Sequence, residues 1–202
     1  MHLNPYGEDA VNLAADLANR RPTSADELAE RCAAAGLALE GPVTSHDVDR
    51  ALVALDAWEA VVDATDGAER VALVNRMLAA ATSHPRLTAH SCDGWHLHYR
   101  DDQQPFGAVL FALISVGTAL HLTGRGMHRL HRCAVAECTT IFADTSRTGR
   151  RRYCSPRCAN RAAVRRHRAR GARRACSSAD GVSSACSVGR AARRVRAVVV
   201  GS

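Results

Sequence analysis

Apolar residues recur at helical spacing through the first 82 residues, which predicts four consecutive helices. In the first, Val11, Leu13, Ala14 and Leu17 share one face, and the series stops before Pro22. Each later helix follows a residue that can cap it, because a short polar side chain accepts hydrogen bonds from the free N–H groups of a first turn. These capping residues are Ser24 (with Glu27), Thr44 or Ser45, and Asp66 (with Glu69).

The period of the pattern changes after residue 85. The segment RLTAHSCDGWHLHYR alternates on both sides of Asp93-Gly94, a dipeptide typical of tight hairpin turns, so a β-hairpin is predicted here. A long apolar helix follows from Pro105 to about Leu122. We therefore predict a mainly α-helical domain with one β-hairpin over residues 1–128.

The apolar segment FGAVLFALISVGTALHL is long enough to cross a membrane, but Gly, Ser, Thr and His interrupt it. A buried helix is the preferred interpretation, and no membrane association is predicted. The opening MHLNPYGEDA is polar and acidic, unlike a secretory signal, so we expect a cytoplasmic protein. In a reducing compartment, closely spaced cysteines bind metal more often than they form disulfides.

Charge divides the chain sharply. Residues 1–128 hold 9 Arg against 17 acidic residues, a net charge of −8, whereas residues 129–202 hold 18 Arg against 3, a net charge of +15. All 27 basic residues are arginine. A basic C-terminal part favours a polyanionic partner, nucleic acid before membrane, with association of the two oppositely charged parts as the alternative.

Four cysteines in the basic part have the spacing of a zinc site: Cys133, Cys138, Cys154 and Cys158. Two close pairs joined by a 15-residue loop can direct four thiolates at one tetrahedral ion, which leaves no open position for catalysis, so the zinc is predicted to be structural. Two short β-like runs flank a polar turn at residues 146–149, and Ser155-Pro156 is a good helix start. The tight turn at the first cysteine pair, the hairpin and the helix together predict a treble-clef zinc finger over residues 129–170. Residues 171–202 are predicted to form a basic disordered tail.

The helix that starts after Ser155 carries an arginine stripe. At about 100° per residue its arginines fall within roughly one quadrant; they are Arg157, Arg161, Arg165 and Arg168. Guanidinium groups suit phosphate oxygens because each can donate two parallel hydrogen bonds. We predict that these residues, with Arg151 and Arg152, contact nucleic acid; a solvated basic helix, or one that docks on the acidic N-terminal domain, is the alternative.

The segment RLHRCAVAECTTIFADTSRTGRRRYCSPRCANRAAVRRHR resembles the CGNR zinc finger, and here Cys158-Ala159-Asn160-Arg161 stands at the name-giving motif. The preceding residues resemble the ABATE domain of bacterial stress-induced transcription regulators. The resemblance spans about residues 4–170 and implies that the four cysteines hold zinc and that the finger binds DNA. Ala159 departs from the usual Gly, and we assign Asn160 a supporting role in the zinc site.

Together these features predict a zinc-dependent, DNA-binding transcription regulator associated with the nucleoid, with a small-molecule effector of the helical domain. An RNA- or ribosome-associated zinc protein, and an interaction module that docks an acidic partner, remain open as alternatives. The sequence contains no recognisable catalytic set, so an enzyme is not predicted.

Two further groups of residues are candidates for binding. His96 and His98 share one face of a predicted strand, with His90 on the partner strand, so they could hold a metal or an anion, although an exposed polar face is the plainer interpretation. Asn19 and Arg20 could line an effector pocket or simply cap the first helix.

Overall fold

The computed structural model describes residues 7–37, 41–89, 95–101 and 103–180, with side chains as far as residue 171. The predicted fold class is confirmed: the chain is mainly helical with two antiparallel strand pairs. In chain order the elements are α1 (Glu8–Asn19), α2 (Ala25–Ala34), α3 (Ser45–Asp63), α4 (Gly67–Ala81), β1 (Arg86–Ala89), β2 (Trp95–His98), α5 (Phe106–Arg125), β3 (Leu130–Arg132), β4 (Ile141–Ala143) and α6 (Pro156–Asp180).

The predicted capping residues begin their helices. Ser24, Thr44 and Asp66 are the N-caps of α2, α3 and α4, and each side chain accepts a backbone N–H from the first turn. At α3 the box is reciprocal, since Asp47 accepts the Thr44 N–H at 2.9 Å. At α2 the Glu27 carboxylate instead reaches the N–H of the residue before the cap. Local sequence thus sets where these helices start.

The C-terminal ends of α1 and α3 are closed by arginines from the following helices. Arg31, which is 8% exposed, donates to the Asp16 and Arg20 carbonyls and to the Asp16 carboxylate. Arg70 donates in the same way to the last carbonyls of α3, those of Val61, Val62 and Ala64. A guanidinium supplies several donors to the free carbonyls at a helix end, and its charge complements the helix dipole.

Helix α5 is central and packs against α1, α3 and α4. Its buried face includes Leu110, Ile114 and Leu122, and Thr118 accepts the Trp58 indole N–H at 3.0 Å within the core. Among the described helices, α5 is the one whose length and composition would suffice to cross a membrane. More than half of it is buried against its neighbours, as in the core helix of a folded domain.

Strands β1 and β2 form the predicted N-terminal hairpin, with Leu87 opposite Leu97 and Thr88 opposite His96. One face carries exposed apolar side chains, including Trp95 at 78% exposure and Leu97 at 49%. The other face carries the half-buried His96 and His98. The predicted Asp93-Gly94 turn lies outside the described residues.

The second hairpin differs from the predicted one. It was expected around residues 146–149, but β3 precedes the first cysteine pair and pairs with β4, so the hairpin encloses Cys133 and Cys138. The residues from 150 to 155 form no strand. Leu130, Ile141 and Ala143 belong to the same apolar core as the N-terminal helices, with β4 packed on α1 and β3 on α3. The burial of β3 and β4 in the shared core therefore determined the position of the hairpin more strongly than the polar turn at residues 146–149.

The chain divides into two compact units, Met1–Asn160 and Arg161–Ser202. The first contains α1–α5, both hairpins, the four paired cysteines and the first turn of α6. The second contains the rest of α6, which continues as far as Asp180 through residues that we predicted to be disordered. Residues 171–180 contain Ala and Arg, which favour helix, and no Pro. Residues 181–202 lie outside the described part of the chain.

Candidate metal centre and nucleic-acid interface

The first cysteine pair occupies the turn of the β3–β4 hairpin. The Cys138 N–H donates to the Val135 carbonyl at 2.8 Å, which closes a tight turn, and the Cys133 N–H donates to the Thr140 carbonyl at 2.9 Å. The Ala134 N–H donates to the Arg152 carbonyl at 2.9 Å, so the chain just before the second pair is tied to the first. These backbone bonds direct both sulfur atoms to one side of the turn.

The second cysteine pair lies at the start of α6. The Ser155 hydroxyl accepts the Cys158 N–H at 3.3 Å, and Pro156 occupies the first helical position. The helix start therefore positions Cys158.

The four sulfur atoms meet at one point. All lie within 4.8 Å of one another, with Cys138 Sγ 3.7 Å from Cys154 Sγ and Cys154 Sγ 3.6 Å from Cys158 Sγ. Sulfur ligands at 2.3 Å from a tetrahedral zinc ion are about 3.8 Å apart. The arrangement therefore fits one zinc ion held by four thiolates, as predicted. With four protein ligands, that zinc supplies folding energy rather than a reactive water.

The thiols differ in acidity. The Thr140 hydroxyl and backbone N–H lower the pKa of Cys138 to about 6. Burial, together with the neighbouring sulfur atoms, raises the pKa of Cys154 to about 11. Four adjacent thiolates repel one another, so they ionise together only when a cation compensates their charge. Cys32 lies apart from them in the apolar core, where burial raises its pKa to about 12.

A buried ion pair holds the loop that leads to the second cysteine pair. Asp144 is fully buried, and its carboxylate accepts the N–H groups of Ser146 and Arg151, each at 2.9 Å. Arg129 Nη1 lies 3.7 Å from Asp144 Oδ1 and donates to the carbonyls of Asp144 and Ser146. Burial alone would raise the pKa of Asp144, but these hydrogen bonds and the Arg129 charge outweigh it and lower that pKa.

Gly149 fits the loop closely around the same arginine. Its φ is +64°, a conformation that favours glycine, and an added Cβ would lie 2.6 Å from Arg129 Cζ. Neither Arg129 nor Asp144 is among the functional residues predicted from the sequence. Asp144-Thr145-Ser146 carries the signal of an Asx-turn, in which an aspartate accepts the N–H two residues on, but nothing local marks Arg129 as its partner.

Asn19 binds β4 rather than an effector. Its amide donates to the Ile141 carbonyl and accepts the Ile141 N–H, both at 2.7 Å, and so satisfies both backbone groups of this residue. On the other side of the hairpin, Arg132 pairs with Asp63 at 2.6 Å and with Glu59 at 3.0 Å. The first cysteine pair is therefore anchored to α1 and α3.

The predicted nucleic-acid contacts have different environments. The exposed Arg151 lies 4.9 Å above the Phe142 ring and donates to the carbonyls of Tyr153 and Cys154, so it supports the metal loop. The others are exposed: Arg152, Arg157, Arg161, Arg165 and Arg168. Asn160 is exposed as well. Ala163 and Val164 of the same helix are also exposed, with Val164 at 49%.

Two family profiles match the chain. Residues 11–136, more than half of it, match the ABATE family, described as "Putative stress-induced transcription regulator". Residues 129–171 match the CGNR zinc finger. The two matches overlap over residues 129–136, which include β3. Neither family is described as an enzyme. Among curated proteins, no sequence matches the chain significantly.

Proposed function

Because this chain belongs to the ABATE family and carries a CGNR zinc finger, we propose that it regulates transcription by binding double-stranded DNA in the cytoplasm, at the nucleoid. In this proposal Cys133, Cys138, Cys154 and Cys158 hold the zinc in a treble-clef finger. The zinc fixes the start of α6, and the arginines of that helix contact phosphates.

The observation that carries this proposal is the exposure of those arginines. Within the described side chains, Arg157, Arg161 and Arg168 make no ion pair and no guanidinium hydrogen bond. By contrast, the guanidinium groups of Arg31, Arg70 and Arg129 donate hydrogen bonds to carbonyl or carboxylate oxygens. A row of uncompensated guanidinium groups is costly in self-repulsion unless a polyanion neutralises it. Phosphate contacts of this kind give affinity and salt dependence, while base contacts would give sequence preference.

Fluorescence anisotropy with a duplex DNA, a matched RNA duplex and an acidic peptide, each over a range of salt, tests the proposal. Arg161→Ala and Arg168→Ala should weaken DNA binding and lower the slope of log K against log salt by about one each. Arg76→Ala is the matched control, because Arg76 is an exposed arginine of α4 and its loss changes net charge equally. Zinc content and melting temperature should stay at wild-type values.

Three outcomes would contradict DNA binding through α6. The first is an equal loss of affinity in Arg76→Ala, which would indicate an effect of net charge alone. The second is stronger binding to the RNA duplex, which would favour a ribosome- or RNA-associated protein. The third is binding to the acidic peptide alone, which would favour a protein-interaction module.

We also propose a small-molecule effector of the N-terminal unit, in a groove of about 600 Å³ between the ends of α3, α4 and α5. Phe111, Ala80 and Ala108 give it an apolar wall, and Arg50 and Asp49 lie among its charged residues. Helix α3 runs from this groove to Glu59 and Asp63, which hold the finger hairpin. A bound effector should raise the melting temperature of the wild type but not of Ala108→Trp, in which the groove is filled; equal shifts would contradict this site.

A further inference from the structure

Two histidine rings of the β1–β2 hairpin point at each other. The Nε2 atoms of His96 and His98 are 3.2 Å apart, the ring centroids are 4.9 Å apart and the ring planes meet at 61°. Alternation along β2 places both half-buried rings on one face, while Trp95 and Leu97 project from the other. The backbone therefore fixes two imidazole nitrogens in one place.

Two imidazole nitrogens at this separation need either a proton or a metal cation between them. When both lone pairs face each other they repel, so the pair is stable only with a shared proton or a shared cation. A tetrahedral metal ion with nitrogen ligands at 2.0–2.1 Å holds them about 3.4 Å apart. The observed 3.2 Å matches that requirement to within a few tenths of an ångström.

We propose that His96 and His98 bind a divalent transition-metal ion of the Zn²⁺, Ni²⁺ or Cu²⁺ class through their Nε2 atoms, with water completing the coordination. Imidazole suits these metals, whereas Mg²⁺ and Ca²⁺ prefer oxygen ligands. This site differs from the cysteine site in three ways. It has two neutral ligands, it is partly open to solvent, and it lies on the hairpin of the helical domain. Its metal exchanges with solution, unlike the zinc held by four thiolates.

The inference does not depend on the proposed DNA binding. It requires only the hairpin, whose register is set by backbone pairing of β1 with β2. The competing account is a simple hydrogen bond between one protonated and one unprotonated ring nitrogen, which would bind no metal. Metal titration of the folded protein separates the two accounts directly.

Isothermal titration of the full-length, zinc-loaded protein with Ni²⁺ at pH 7.5 is the test. Ni²⁺ is the probe because it binds imidazole well and does not oxidise thiols. We expect one Ni²⁺ per chain in addition to the cysteine-bound zinc. His96→Gln and His98→Gln should each weaken this binding by roughly tenfold or more. His84→Gln, which removes an exposed histidine preceding β1, should not change it.

Zinc release, measured with a chromogenic chelator, shows whether Ni²⁺ enters the cysteine site instead. Circular dichroism of both histidine variants shows whether the helices are retained, and having two variants guards against a folding defect in one. Absence of stoichiometric Ni²⁺ binding in the wild type would overturn the proposal. Unchanged affinity in both variants, or an equal loss in His84→Gln, would do the same.

Discussion

This chain contains arginine but no lysine, and its arginines serve two purposes in two regions. In the first unit, the guanidinium groups of Arg31, Arg70 and Arg129 donate hydrogen bonds to backbone carbonyls, and Arg31 and Arg129 also pair with carboxylates. Along α6, the exposed Arg157, Arg161 and Arg168 make no ion pair among the described side chains. A count of arginines along the sequence therefore does not locate a nucleic-acid surface; the surroundings of each guanidinium do.

Arg31, Arg70 and Arg129 share one geometry. Arg31 binds carbonyls at the end of α1, Arg70 binds those at the end of α3, and Arg129 binds the Arg125 carbonyl at the end of α5. Of these three ends, only α5 is followed by a glycine at the cap. A planar guanidinium can satisfy several free carbonyls at once, which an ammonium group does less well. These arginines thus stabilise helix ends, and their charge is neutralised locally.

Replacing Arg129 should have the largest effect on stability. Arg129→Ala leaves the fully buried Asp144 carboxylate without its cation, which should lower the free energy of unfolding by about 3 kcal/mol or more. Urea unfolding followed by circular dichroism measures this. Arg129→Lys keeps the positive charge but lacks the planar guanidinium group, so its free energy of unfolding should lie between those of the wild type and Arg129→Ala. A loss no greater than that of Arg76→Ala would show that the buried pair contributes nothing.

Replacing Arg132 should have a smaller effect, because this residue is partly exposed. Its side chain is 37% exposed while it pairs with Asp63 and Glu59, so solvent screening limits the gain to roughly 0.5–1 kcal/mol. A double-mutant cycle of Arg132→Ala with Asp63→Ala, measured at low and high salt, isolates the pair. The coupling should shrink at high salt. A coupling energy that is independent of salt would contradict this expectation, because it would show that Arg132 behaves like the buried Arg129.

At the other end of this scale lie Arg161 and Arg168 of α6. Exposed substitutions without partners usually change stability by less than about 0.5 kcal/mol. For Arg161 and Arg168 the expected loss is therefore in binding alone. A large loss of stability in either variant would break the distinction between the two classes of arginine.

Much of the fold could be predicted from local patterns. Helical periodicity located α1 to α5, Ser24, Thr44 and Asp66 marked three helix starts, and residue alternation located β1 and β2. The cysteine spacing identified the metal centre, because short turns confine each pair and the loop between them is long enough to bring the pairs together. All of these signals lie within a few residues of the feature that they specify.

The parts that could not be predicted depend on contacts between distant residues. The hairpin at the first cysteine pair was misplaced, because β3 is stabilised by α3 and by the core rather than by its own short sequence. Asn19 binds Ile141 across 122 residues, and no local pattern links them. Arg129 and Asp144 are polar residues in the sequence and become buried only when the loop folds around them.

The Asn19–Ile141 contact also has a consequence for the order of folding. During synthesis, α1 to α5 emerge before β4 exists, so the face of α1 that β4 covers stays exposed until residue 141 has left the ribosome. Contacts so far apart in sequence slow folding, because the intervening loop must close before they form. Because Cys133 and Cys138 lie within that hairpin, we expect zinc binding to stabilise it, so the supply of zinc during translation should affect how quickly β4 covers α1.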